Sequence, residues 1–216
     1  MTRIKVVLFD LDGTLADTLP DIAAGVNYAL KKFDYPELSV ESVRSIVGCG
    51  LTKLIEQTLP NAVTSEQINL IRDAWLEYSS DHCLDFTRPY PGVEAALAEL
   101  KRRGIQLGVV TNKPQDIADK VISGLFGDTF GCVYGMEADT PRKPDPYTAL
   151  KALAQFGADS SEAIFVGDSG IDMQTAVNAG CLPVGVTWGY RDVNELTQAG
   201  AVYLIREPSE LLGLCR

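Results

Sequence analysis

Histidine is almost absent from this 216-residue chain: His82 stands alone. A Ser-His-Asp triad would have to use it, and a metal site built from several imidazoles is excluded. Positive charge is also short. Nineteen Lys and Arg face 29 Asp and Glu, giving a net charge of −10. A nucleic-acid binder would need a basic face, and the small cluster Lys101-Arg102-Arg103 reads as a solvated helix end. No apolar run is long enough to span a membrane, and the opening residues MTRIKVVLFD carry too short a run for a signal peptide. The five cysteines (Cys49, Cys83, Cys132, Cys181, Cys215) are odd in number, far apart and without a C-x-x-C pair. A zinc ribbon or redox dithiol is therefore not expected, and reduced thiols in the cytoplasm are. A phosphate-binding G-x-x-x-x-G-K-[ST] is missing, and Gly48-x-Gly50 lacks the third glycine of a dinucleotide fingerprint. There is no internal repeat and no low-complexity tract.

What the chain does contain is alternation. Continuously apolar runs at residues 4–10, 105–111, 163–167, 182–186 and 201–205, with a shorter one at 131–134, suit parallel strands covered on both faces. Helical patterns lie between them, at 93–102, from Pro114 through Val121 and Ile122, at 144–156 and at 171–179. Glycines 104, 157 and 180 follow three of them. The spacing predicts an α/β, doubly wound parallel sheet. Residues 19–83 break that rhythm. Apolar stripes through Ile22–Phe33, Val40–Val47, Leu51–Leu59 and Ile68–Tyr78 predict four helices and no strand. Ser39 is the expected N-cap of the second, and Thr64-x-x-Gln67 a capping box for the fourth. His82 falls on the last stripe and is expected to pack. The chain thus divides into a core of residues 1–16 and 84–216 and a helical insert of residues 17–83, with hinge-permitting exits.

Open parallel sheets bind ligands beyond the carboxyl ends of their strands. Asp10, Asp12, Gly13 and Thr14 follow the first strand, and Thr111, Asn112 and Lys113 the second. Lys143 precedes the helix at 144–156. Asp168, Ser169 and Asp172 follow the strand at 163–167. All of these polar groups fall at one edge. Asp10 and Asp12, two apart in extended chain, share a side, while Leu11 points away. Four carboxylates around one cleft call for a hard divalent cation, Mg2+ above all. Thr111, the Asn112–Pro114 segment at a helix start, and Lys143 suit a phosphate. A carboxylate at the strand tip, Asp10, can attack phosphorus, with Asp12 as general acid and then base. Gly167-Asp-Ser-Gly170 resembles a serine-protease nucleophile motif only in wording, because the fold pattern and the histidine count do not suit one.

These residues resemble the haloacid dehalogenase superfamily of phosphohydrolases over nearly the whole chain. Asp10-Leu-Asp12-Gly-Thr-Leu is similar to its first motif, Thr111-Asn112 to its second, Lys143-Pro144 to its third, and Gly167-Asp168-Ser-Gly-Ile-Asp172 to its fourth. The resemblance implies a Rossmann-like core with a small α-helical cap. It implies Asp10 as nucleophile and Asp12 as general acid/base. It also implies Mg2+ held by Asp10, the backbone carbonyl of Asp12 and Asp168, with Asp172 as ligand or outer partner. Asp17-Thr-Leu-Pro-Asp21, Val47-Gly-Cys-Gly50, Val110-Thr-Asn-Lys-Pro114, Arg142-Lys-Pro-Asp-Pro146 and Trp188-Gly-Tyr190 are similar to the phosphoglycolate phosphatase branch. The implied substrate is a small phosphomonoester, 2-phosphoglycolate, with Gly48 and Gly50 closing over it and Asn27 or Arg44 meeting its carboxylate. Other readings are a phosphatase for a sugar phosphate, nucleotide or pyrophosphate, a phosphosugar mutase, or a binding protein on the same fold. A monomer or homodimer with no nucleic-acid or membrane partner is expected.

Overall fold

The structure, a computed structural model, describes residues 3–60 and 63–215. Residues 1–2, 61–62 and 216, which belong to the expected core and insert, lie outside the described residues. The chain begins with β1 (Val6–Phe9), a strand without a polar residue and buried throughout. The short β2 (Ala16–Asp17) leads into four helices, α1 (Leu19–Lys32), α2 (Val40–Ile46), α3 (Leu51–Thr58) and α4 (Ser65–His82). β3 (Arg88–Pro89) brings the chain back. There follow α5 (Val93–Arg102), β4 (Gln106–Pro114), α6 (Gln115–Phe126), β5 (Cys132–Met136) and α7 (Tyr147–Phe156). The chain closes with β6 (Ala163–Gly167), α8 (Gly170–Ala179), β7 (Leu182–Val186), α9 (Val193–Gln198), β8 (Tyr203–Ile205) and α10 (Leu211–Leu214).

Six strands form one all-parallel sheet in the order β5-β4-β1-β6-β7-β8. Alternate side chains of β1 enter opposite faces: Val7 and Phe9 join one core, Val6 and Leu8 the other. α7 and α8 close the second face through Ala149, Leu153 and Ala176. α5 and α6 close the first through Leu97, Leu100, Ile117 and Val121. This is the Rossmann-like, doubly wound α/β arrangement that the alternation predicts. β1 lies where the strand order reverses, between β4 and β6, the place where such sheets leave a crevice.

The segment between β2 and β3 is helical among its described residues. Ile22, Val26, Leu30, Ile55, Ile71 and Trp75 are buried in it, and α1 lies along α4. Thr64 and Gln67 form the expected capping box of α4, and Ser39 accepts from Ser42 N at the start of α2. β2 and β3 pair antiparallel, Ala16 with Pro89 and Asp17 with Arg88, so the two connections run as one ribbon. Asp21, buried in the first turn of α1, ties this crossing: it accepts from Phe86 N (3.0 Å), Thr87 N (2.8 Å) and Thr87 Oγ1 (2.7 Å). Two expectations are corrected. His82 is not packed in a core. It is exposed at the last residue of α4, stacked on Tyr78 at 4.3 Å and paired with Asp85. The strand expected to end at Thr111 runs on to Pro114, pairing there with Met136.

Candidate active site

Asp10 follows the last paired residue of β1, and its N–H still donates to Val166 O at 2.9 Å. The sheet therefore fixes its backbone while the side chain emerges at the strand tips. Leu11 turns inward, fully buried. Asp12 faces the cleft beside Asp10. Gly13 turns the chain at φ +82°, and it sits so close to Asp168 that an added Cβ would lie 2.2 Å from Asp168 Oδ2. Asp168 follows β6 directly. Its Oδ2 accepts from Tyr190 N at 2.7 Å, and its Oδ1 faces Thr14 Oγ1 at 3.5 Å. Asp172 is the third residue of α8 and closes a capping box with Ser169, accepting from Ser169 N (3.0 Å) and Oγ (2.6 Å).

These carboxylates converge. Oxygens of Asp10, Asp168 and Asp172 all lie within 4.8 Å of one another. Lys143, itself buried, reaches Asp10 Oδ1 at 2.8 Å and Asp172 Oδ1 at 2.7 Å. One ammonium does not balance three carboxylates. Burial, with Asp172 and Asp12 nearby, pushes Asp10 up to about 7 against the pull of Lys143. Burial also raises Asp168 well above the usual carboxylate range, with Asp172 and Asp10 adding to it. Burial pulls the Lys143 ammonium down, but Asp10 and Asp172 outweigh it and lift the group above its ordinary value. Asp10 Oδ1 is buried and accepts no aligned hydrogen bond, so its contact with Lys143 is ionic. Crowded, under-neutralised hard oxygens are the donor set that suits Mg2+, so these residues fit such an ion.

Asp12 takes a separate course. Its Oδ1 accepts from Lys113 Nζ at 2.8 Å and from Thr18 Oγ1 at 2.6 Å, and Thr18 in turn meets Tyr190 OH at 3.2 Å. Thr111 is buried at the cleft, its Oγ1 accepting from Lys113 N at 3.2 Å. The Asn112 side chain is occupied by backbone: it donates to Gly48 O (3.0 Å) and Lys143 O (3.2 Å) and accepts from Lys143 N (2.9 Å). Gly48 and Gly50 line the cleft from the helical side, with φ of +121° and +88°. The cleft between core and helices spans about 630 Å³ of space, open solvent included.

Asp10, Asp12, Thr111, Asn112, Lys143, Asp168, Asp172, Gly48 and Gly50 thus all face one cleft. Asn27 and Arg44 do not line it. The Asn27 amide is taken by Leu38, donating to its O at 2.9 Å and accepting from its N at 2.8 Å. Arg44 lies over the Tyr190 ring at 5.9 Å. Thr18 and Arg191 carry no role in the sequence reading, and Lys113 and Tyr190 are named there without their partners. Arg191 donates to the carbonyls of Arg44 (2.7 Å), Ser45 (3.3 Å) and Val47 (2.5 Å), at the C-terminus of α2. A signal existed for Lys113, a lysine directly after a buried strand run, but its partner lies 101 residues away.

The family model of haloacid dehalogenase-like hydrolases matches residues 7–186. The chain is 38% identical over 204 residues to a phosphoglycolate phosphatase of Neisseria meningitidis, covering 92% of this chain and 87% of that protein. It is 31% identical over 212 residues to an N-acetylmuramic acid 6-phosphate phosphatase of Pseudomonas aeruginosa, covering 97% and 94%. A crystal structure described as that of a predicted phosphoglycolate phosphatase from Haemophilus somnus 129pt superposes with a TM-score of 0.92 at 30% identity, over 100% of both chains. With the family model covering most of the chain and the polar residues of all four motif segments at one sheet edge, the chain belongs to the haloacid dehalogenase-like hydrolases and is a phosphatase of that family.

Proposed function

We propose that the chain hydrolyses 2-phosphoglycolate to glycolate and phosphate through an aspartyl-phosphate on Asp10. The observation that carries the chemistry is the buried Asp10 at the tip of β1, facing the cleft with Lys143 2.8 Å from it and Asp12 alongside. The substrate rests on the similarity to the Neisseria protein. An Asp10 oxygen attacks phosphorus, and the bond to the glycolate oxygen breaks as that oxygen takes a proton from Asp12. Asp12 then removes a proton from water, whose oxygen attacks phosphorus and frees Asp10. Lys143 offsets the repulsion between the carboxylate and the incoming phosphoryl oxygens. Asp10, the backbone carbonyl of Asp12, Asp168 and Asp172 would hold Mg2+, which supplies charge neutralisation at the phosphoryl group. Thr111 offers the phosphoryl oxygens a hydroxyl. Residues 17–83 act as a cap that excludes water when closed over the core of 1–16 and 84–216. The protein works in the cytoplasm.

A sugar phosphate is the second reading. Trp75 at the cleft wall offers a sugar an apolar face, and the Pseudomonas relative is named for such a substrate. A panel of phosphoesters assayed with Mg2+ separates the two. The highest kcat/KM should fall on 2-phosphoglycolate, and a higher value on a hexose phosphate would overturn that assignment. Asp10→Asn should abolish release of phosphate from every ester while the circular dichroism spectrum is kept. Retained turnover would remove Asp10 as nucleophile.

A further inference from the structure

We infer that Lys113 is the specificity-determining residue of the cleft, receiving a carboxylate carried by the leaving group. This rests on the phosphoglycolate reading and names the group that recognises the part of the substrate left after phosphate is removed. The helical side of the cleft offers an anion no cationic side chain among the described residues. Its lining side chains are Ile22, Val47, Leu51, Leu54 and Trp75, and the Trp75 N–H already donates to Ile22 O at 3.4 Å. A carboxylate must therefore find its cation on the core side. Among the described residues three cations line the cleft there: Lys143, Arg191 and Lys113. Lys143 is held between Asp10 and Asp172, and Arg191 by three carbonyls of the α2 terminus.

Lys113 differs from both. Its ammonium is buried, with a side-chain exposure of 5%, yet among the described residues its hydrogen bonding is a single bond, to Asp12 Oδ1 at 2.8 Å. An ammonium carries three donors, and leaving a buried one unmatched is costly. Its N–H is tied to Thr111 Oγ1 and its ammonium to Asp12, so the side chain is aimed rather than free. The placement suits one class of substrate. Asp12 is the residue that serves the ester oxygen, and Lys113 stands one hydrogen bond from Asp12. In the phosphate ester of a 2-hydroxy acid, the ester oxygen and the carboxylate sit on adjacent carbons. With the ester oxygen at Asp12, the carboxylate falls beside Lys113. A neutral leaving group would leave those donors unmatched, and this penalty is a basis for rejecting it.

The test compares 2-phosphoglycolate with ethyl phosphate, which lacks the carboxylate, in the wild type, Lys113→Met and Lys113→Arg, each checked for fold by circular dichroism. The wild type should prefer 2-phosphoglycolate. In Lys113→Met the ratio of kcat/KM for the two esters should collapse by about tenfold to a hundredfold, mostly through KM, as expected for one lost charge-assisted bond. Lys113→Arg, which keeps the charge, should restore part of the ratio. Equal losses on both esters, with the ratio unchanged, would overturn the inference and leave Lys113 as a partner of Asp12 alone, the phosphoglycolate reading surviving. A wild type that does not discriminate between the two esters would instead overturn the substrate reading, and this inference with it.

Discussion

Asp10 is kept in a state that a carboxylate resists. In an unfolded chain it ionises near 3.8, and in the folded protein burial moves that to about 7. Between those values the native state holds a proton that the unfolded state has released. Stability from this group is therefore greatest below the unfolded value and is lost as pH rises through the folded one. Asp168, raised chiefly by burial, acts in the same direction. With a chelator present, the Tm of the wild type should fall relative to that of Asp10→Asn as pH rises from about 4 to about 8. Mg2+ should remove that difference, because it binds the ionised carboxylates. Thermal scans of the two proteins with EDTA or Mg2+ read this directly. Parallel curves with EDTA would mean that Asp10 pays no such penalty. At this scale the acids were legible, because Asp10, Asp12, Asp168 and Asp172 end or follow apolar strand runs. Lys113 was legible as a member of the same sheet edge but its partner was not, because the pairing with Asp12 exists only once β1 and β4 lie side by side. Asn27 was misread for the opposite reason. Its amide serves the nearby Leu38 backbone, a local need that outranks any ligand.

Three elements with a dense apolar signal match their expected bounds. Ala163–Gly167 and Leu182–Val186 match the runs 163–167 and 182–186, and Val93–Arg102 matches its stripe. Elements with little to bury were missed. α9 buries only Leu196, and β2 and β3 are two residues each, too short to show a period. Asp21 shows what that ribbon depends on. Hydrogen bonds to a charged group contribute roughly 1.5–3 kcal/mol each, and this carboxylate accepts from both Phe86 and Thr87. Asp21→Ala should cost about 3 kcal/mol in urea unfolding, since buried donors are left unpaired. Asp21→Asn should recover part of that, and a loss under about 0.5 kcal/mol, the scale of a surface substitution, would mean that the crossing is held by packing instead.

Across the whole molecule, the helical segment is held over the sheet edge by a few directional contacts. Arg191 engages three carbonyls at the end of α2, Asn112 holds Gly48 O at 3.0 Å, and Arg142 reaches Cys49 O at 3.4 Å. All three acceptor groups precede α3, next to the cleft. Removing Arg191 forfeits charge-assisted bonds of about 1.5–3 kcal/mol each and shifts the balance toward an opened arrangement. Arg191→Ala should raise KM about tenfold or more and speed proteolysis within residues 47–51, read by gel and mass spectrometry. Unchanged cleavage and KM would mean that apolar packing alone keeps the two parts together.

The pairing of Asp17 with Arg88 has a further consequence. The chain leaves the core and returns to it on adjacent rungs of one short ladder, the position that a hairpin turn would occupy. Seventy residues are thus topologically equivalent to a turn. They impose no register on the main sheet and demand no new connection from it. The acids are mounted on one segment and most of the apolar lining of the cleft on another, so the second can be exchanged, shortened or redesigned while the strand order that aims Asp10 stays as it is.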